Sequence, residues 1–364
     1  MIEKFISREE LMILLNESIF HEKTHIMVHY PLFGINLFEI EYPQERYRLT
    51  NIISKEKFIN LRESKALDNK FLQQDLPHYS DIIYCFGTSG YLKPTNWNEF
   101  TKWVSNIYED SQNLSRSPRK IFIAPDTNIL YNRVFSRLFP ITYSEKEIKA
   151  KEFNYVLSDA VKKEVDHQIK WKYTKRNIED MTKIFGYIAK QFINRGTLIT
   201  RKAKLAQYEM DYLRQELKAT NAEAKEWERD KEDMDIIITE SYSQFQSKNK
   251  LDVIMISADQ IMADHAKNNE LRYFILSWGL PPIFKDIYFG HQELINLLYD
   301  LAVTFGIIQL RDLGVTLFGI WHGKKTEEYA TETIKMCIDE KSRIYKDVMR
   351  DIDIVRKLNT KHFT

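Results

Sequence analysis

Hydrophobic residues recur at two periods along this chain, and the period switches often. SREE, at Ser7 to Glu10, forms a capping box that opens a helix through LMILL. THIMVHY and INLFEIEY are rich in β-branched and aromatic residues and read as strands. DIIYCFGTSG predicts a strand running into a glycine turn, and NWNEFTKWVSNIY resumes helical spacing. SQNLSRSPRK, at 111–120, is polar, basic and proline-containing, as a linker is.

From residue 120 strand and helix patterns alternate. IFIA, NYVLS, VIMIS and RYFILS are short apolar runs of strand length. Helical patterns follow them through Leu138, through AVKKEVDHQIK, over roughly 175–247 and through DQIMADHAK. This alternation predicts an α/β fold whose parallel sheet is covered by helices on both faces. Beyond about 278, GHQELINLLYDLA predicts a helix, and GIIQL and GVTLFGIW predict strands. Ile344, Val348, Ile352 and Val355 then lie at helical spacing within 326–357. The expected layout is an N-terminal α/β domain at 1–110, a linker at 111–119, a central domain at 120–278 with a helical insertion near 175–232, and a C-terminal α+β extension at 279–364.

Composition narrows the class. A chain of 364 residues exceeds one ordinary core, and its 43% hydrophobic and 29% charged content suits a folded globular protein. A formal net charge of +1 gives no global attraction to nucleic acid, so any such attraction must be local. The two cysteines, Cys85 and Cys337, lie far apart and make neither a disulfide framework nor a thiolate zinc site. The N-terminus lacks signal-peptide features. No apolar run reaches the roughly 18 residues a membrane span needs, so a cytoplasmic protein without membrane contact is expected.

The candidate chemistry begins at KIFIAPDTNILYN, 120–132, where an apolar strand ends on Asp126. In open α/β sheets ligands bind beyond the carboxyl ends of the strands. VIMIS ends the same way, at Ser257, Ala258 and Asp259, so two strand-end aspartates face one crevice. Glu164 lies in SDAVKKEV after the NYVLS strand, and Asp235 opens DIIITESYSQF, with Asp233 its competitor two residues earlier. The order Asp, Glu, Asp, Asp in these contexts resembles the PIN domain family of metal-dependent nucleases. The resemblance rests on D-T-N at 126–128, the strand and helix carrying Glu164, D-x-x-I-x-x-S from Asp235 to Ser241, and S-A-D at 257–259, and it covers roughly 119–278.

The resemblance implies a PIN-like parallel sheet, Mg²⁺ or Mn²⁺ held by Asp126, Glu164, Asp235 and Asp259, and phosphodiester hydrolysis, usually of RNA. It also implies that Asn128 and Ser257 orient the ligands without being ligands. The donor chemistry agrees, because hard divalent cations prefer oxygen. Without a cation four converging carboxylates repel, and some take up protons. The alternative is a PIN-fold RNA-binding or scaffold protein without turnover.

Between Lys170 and Lys204 ten Lys or Arg stand against two acids, with Trp171, Tyr173, Phe185, Tyr187 and Phe192 interleaved. Cations neutralise phosphates and aromatic faces stack unpaired bases, so contacts to single-stranded RNA are expected here. The bland reading makes the aromatics core and the lysines a solvated face. Leu213, Leu217, Ala224 and Trp227 continue at helical spacing, a candidate surface for a second copy of the chain.

One rival motif is HEKTH, 21–25, which matches the H-E-x-x-H of zinc peptidases. That motif needs both histidines on one helix, and THIMVHY reads as a strand. GTSG at 87–90 and WHGKK at 321–325 read as turns.

Overall fold

Strands form where β-branched and aromatic residues concentrate, and their pairing gathers distant parts of the chain. The computed structural model describes residues 1–23, 25–43, 46–66, 69–113, 119–194, 196–225, 231–279 and 288–361. The strands are β1 (Ile2–Ser7), β2 (His25–Tyr30), β3 (Ile35–Glu41), β4 (Tyr47–Thr50), β5 (Ile121–Pro125), β6 (Ile141–Tyr143), β7 (Lys146–Ile148) and β8 (Asn154–Ser158). They continue as β9 (Thr220–Ala222), β10 (Asp252–Ser257), β11 (Arg272–Ile275), β12 (Tyr288–Phe289), β13 (Ile307–Leu310), β14 (Val315–Phe318) and β15 (Thr333–Ile338). The chain divides into two compact units. Among the described residues no helix is long and apolar enough to cross a membrane.

The first unit comprises Met1–Tyr91, Trp171–Arg201 and Pro282–Thr364. Its sheet has the order β1-β15-β14-β13-β2-β3-β4-β12, antiparallel at every pairing. The expected separate N-terminal domain and C-terminal extension are therefore one unit. β1 pairs along its whole length with β15, and β2 borders β13. Neither half would pair all its edges alone, and short isolated hairpins are marginal in water. Against the sheet lies the helix His291–Phe305, buried from Leu294 to Phe305, which accounts for the apolar run there. Gly319 lets β14's exit approach this helix: a Cβ at that position would sit 2.1 Å from the Ala302 carbonyl oxygen.

Two expectations for this unit fail locally. DIIYCFGTSG is no strand; residues 81–88 belong to the helix Tyr79–Thr88. Ile82, Cys85 and Phe86 recur at helical spacing and are all buried, and the Asp81 carboxylate accepts the His78 N–H at 2.7 Å. Helical burial outweighs the local preference of an Ile-Ile pair. Conversely TIKMCI, inside a segment expected to be helical, is β15, while the helical spacing holds only over Tyr345–Lys361.

The second unit comprises Leu92–Lys170 and Lys202–Pro281. Its five-stranded sheet has the order β11-β10-β5-β8-β9 and is parallel throughout, with β6 and β7 forming a separate hairpin. The α/β expectation holds here. The boundary expected at 110 does not, because Phe100 of the helix Trp97–Gln112 packs on Phe274 with ring centroids 5.5 Å apart. That helix also takes up the first residues assigned to the linker, and 114–118 lie outside the described residues. Trp227 also lies outside them.

Of the basic segment, Trp171–Arg201 belongs to the first unit, whereas Lys170, Lys202 and Lys204 belong to the second, as the acid-bearing sheet does. Tyr173, Met181 and Phe192 are buried, whereas Trp171 and Tyr187 are exposed. Arg201, expected among the phosphate-facing cations, is 1% exposed and donates to the Tyr173 hydroxyl, which in turn donates to the Asp75 carboxylate.

Candidate metal and catalytic site

The sheet order places the acids before any side chain is considered. From β5 the chain steps to β8 and β9 on one side and returns to β10 and β11 on the other. The switch point is thus between β5 and β10, the place where open α/β sheets hold ligands beyond the carboxyl ends of their strands. Asp126 follows β5 and Asp259 follows β10. Glu164 sits on the helix Asp159–Gln168 that leaves β8, the other neighbour of β5.

Asp126 is 3% exposed, and its carboxylate accepts three hydrogen bonds, all from neutral donors. Its Oδ1 accepts the Thr127 N–H at 2.6 Å; its Oδ2 accepts the Ser257 hydroxyl at 2.8 Å and the Asn128 amide. Asn128 is itself fixed, because its Oδ1 accepts the Ala258 N–H at 2.7 Å and its Nδ2 lies 3.1 Å from Ser257 Oγ. Ser257 Oγ also accepts the Asp259 N–H at 2.9 Å. Asn128 and Ser257 thus both hold Asp126 and bridge it to the β10 end.

Glu164 is connected through Thr127, whose hydroxyl donates to Glu164 Oε2 at 2.6 Å. Asp235 is half-buried on the helix Lys231–Asn249. That helix is seated by Tyr242, whose hydroxyl donates to the Pro125 carbonyl at 2.7 Å and accepts the Ser158 N–H at 3.2 Å. Ser241 Oγ donates to Ser158 Oγ at 2.7 Å. The side chain of Asp233 lies outside the described residues.

Burial pushes the Asp126 carboxyl up to about 7, against the pull of the Ser257 and Thr127 hydrogen bonds, and the charges of Glu164 and Asp235 push the same way. Asp126 therefore feels both of these acids. Asp126 and Asp259 also cap the helices that follow them, Asp259 Oδ1 accepting the Ile261 N–H at 2.9 Å. Capping occupies one oxygen of each carboxylate.

The acids are gathered without closing on one point. Among the described residues, Glu17, His21 and Asp347 in the first unit are the set of three ligand-type side chains whose atoms all lie within 4.8 Å of one another. Sequence reasoning missed the connecting roles of Thr127 and Tyr242. Thr127 stood inside the quoted D-T-N motif, and Tyr242 carried no local signal.

The zinc-peptidase geometry is not formed. The helix Leu11–Phe20 ends before His21, and His25 begins β2, where its Nε2 meets Glu39 at 3.0 Å. Two histidines on different elements lack the one-turn spacing the motif requires. Comparison of the chain with protein-family models, with curated proteins and with solved structures returns no match.

Proposed function

We propose that the second unit is a PIN-like metal-dependent nuclease acting on RNA. The carrying observation is Asp126: a buried strand-end carboxylate held by neutral donors, under the field of two further acids, with no Lys or Arg paired to it among the described residues. Such a group lowers its energy by taking a proton or a cation.

The donor set fits the ion. Asp126, Glu164, Asp235 and Asp259 offer only oxygen, as Mg²⁺ and Mn²⁺ prefer. When bound, such ions activate a water and stabilise the departing oxygen of a phosphodiester. The protein's own part is to orient. Asn128 and Ser257 fix Asp126, Thr127 fixes Glu164, and Tyr242 seats the helix of Asp235 against the ends of β5 and β8.

A second reading, an RNA-binding module without turnover, is favoured by the helix-capping bonds of Asp126 and Asp259, which give both residues a structural use. Asp126→Asn separates the two when cleavage and RNA affinity are measured on the same preparation. The nuclease reading requires loss of cleavage with RNA affinity kept. Affinity with no metal-dependent cleavage in the parent protein would support the binding module.

A further inference from the structure

His21 left the peptidase motif but did not leave metal chemistry. It directly follows the helix Leu11–Phe20, and Glu17 lies one turn before it. Facing them within the first unit, Asp347 and Asp351 stand one turn apart on the helix Tyr345–Lys361. Asp347 and Asp351 share a face of their helix, and His21, the residue that ends the first helix, lies within reach of Glu17. His21 Nε2 lies 3.0 Å from Asp347 Oδ2 and 3.8 Å from Glu17 Oε2. Bonds of 2.0–2.2 Å to a tetrahedral ion separate its ligands by roughly 3–4 Å. The observed gaps suit that spacing.

The outer oxygens are already held: Arg350 Nη1 contacts Asp347 Oδ1 at 2.9 Å, and its Nε contacts Asp351 Oδ1 at 2.7 Å. Asp347 Oδ2 is thereby aimed at His21, as ligating carboxylates are commonly oriented by a partner on the second oxygen. The His21, Glu17 and Asp347 side chains are 24%, 12% and 28% exposed, so an ion can reach them from solvent.

We propose that Glu17, His21 and Asp347 form a zinc-type divalent-cation site, open to a water as fourth ligand, that staples an N-terminal helix to the C-terminal helix of the first unit. One imidazole nitrogen among carboxylate oxygens suits Zn²⁺ better than Mg²⁺, which separates this site from the all-oxygen cluster of the second unit.

The test is calorimetric titration of Zn²⁺ into the full chain carrying Asp126→Asn and Asp259→Asn, so that the nuclease reading does not bear on the result. His21→Gln and Asp347→Asn are compared with His25→Gln, and each melting temperature is read with and without Zn²⁺. The expected result is one Zn²⁺ per chain and a Zn²⁺-dependent rise in melting temperature. Either His21→Gln or Asp347→Asn should weaken binding at least tenfold and abolish that rise, while His25→Gln changes neither. No Zn²⁺ binding in the parent, or binding unchanged in both His21→Gln and Asp347→Asn, overturns the proposal.

Discussion

At the scale of single residues, the site is a chain of short bonds anchored on Asp126. Asn128 and Ser257 hold one of its oxygens and the Thr127 backbone holds the other, while the Thr127 hydroxyl reaches Glu164. Thr127→Val keeps the shape and the backbone N–H but removes the hydroxyl. Under the nuclease reading it should lower cleavage by about 10- to 100-fold, as losses of supporting contacts around metal ligands commonly do. Circular dichroism and steady-state rates measured together check it; an unchanged rate would remove Thr127 from the site. Asn128 and Ser257 entered only through the resemblance, whereas Asp126 was legible as the acid that ends an apolar strand. The bond from Thr127 to Glu164 was not, since it depends on β8 pairing beside β5, which no local pattern states.

At the scale of elements, the helix Lys231–Asn249 is tied to two strand ends by one side chain. Tyr242 is fully buried and ties the ends of β5 and β8 together through the Pro125 carbonyl and the Ser158 N–H. Tyr242→Phe leaves a buried donor and acceptor without that partner, which costs about 1–3 kcal/mol. Chemical denaturation should show this loss, and metal-dependent cleavage should fall as well because Asp235 rides on the same helix. Full stability in Tyr242→Phe would contradict the assigned role. The alternation of IFIA, NYVLS, VIMIS and RYFILS with helices was readable because buried parallel strands are short, continuous and apolar. DIIYCFGTSG and TIKMCI were misread because each is short, and burial by distant partners decides such cases: Asp81 caps the first as a helix, and β1 with β14 pairs the second as a strand.

At the scale of the whole molecule, the two chain ends build one sheet and the segment between them builds the five-stranded parallel one. The chain-end sheet was hidden from sequence because antiparallel pairing between β1 and β15 has no sequence-local mark. Near its edge Lys324 is buried, with Nζ donating to the Gly319 and Thr333 carbonyls. Burial pushes its amine down to about 7, from the ordinary lysine value of about 10.5. Between those values the unfolded chain binds the proton more strongly than the folded one, so this group makes stability rise as pH increases from about 7 toward 10. Denaturation at pH 7.5 and 9.5 should show that rise, and Lys324→Met should flatten it; an equal rise in both proteins would show that Lys324 is not its source.

The most direct test of the nuclease reading is the initial cleavage rate of end-labelled single-stranded RNA across a titration of Mn²⁺, for the parent and Asp126→Asn side by side. Cleavage that rises with Mn²⁺, stops in EDTA and falls more than about 100-fold in a folded Asp126→Asn protein is the result the four-acid site requires. Cleavage that survives EDTA or the substitution, or no cleavage by the parent at any Mn²⁺ concentration, would contradict it.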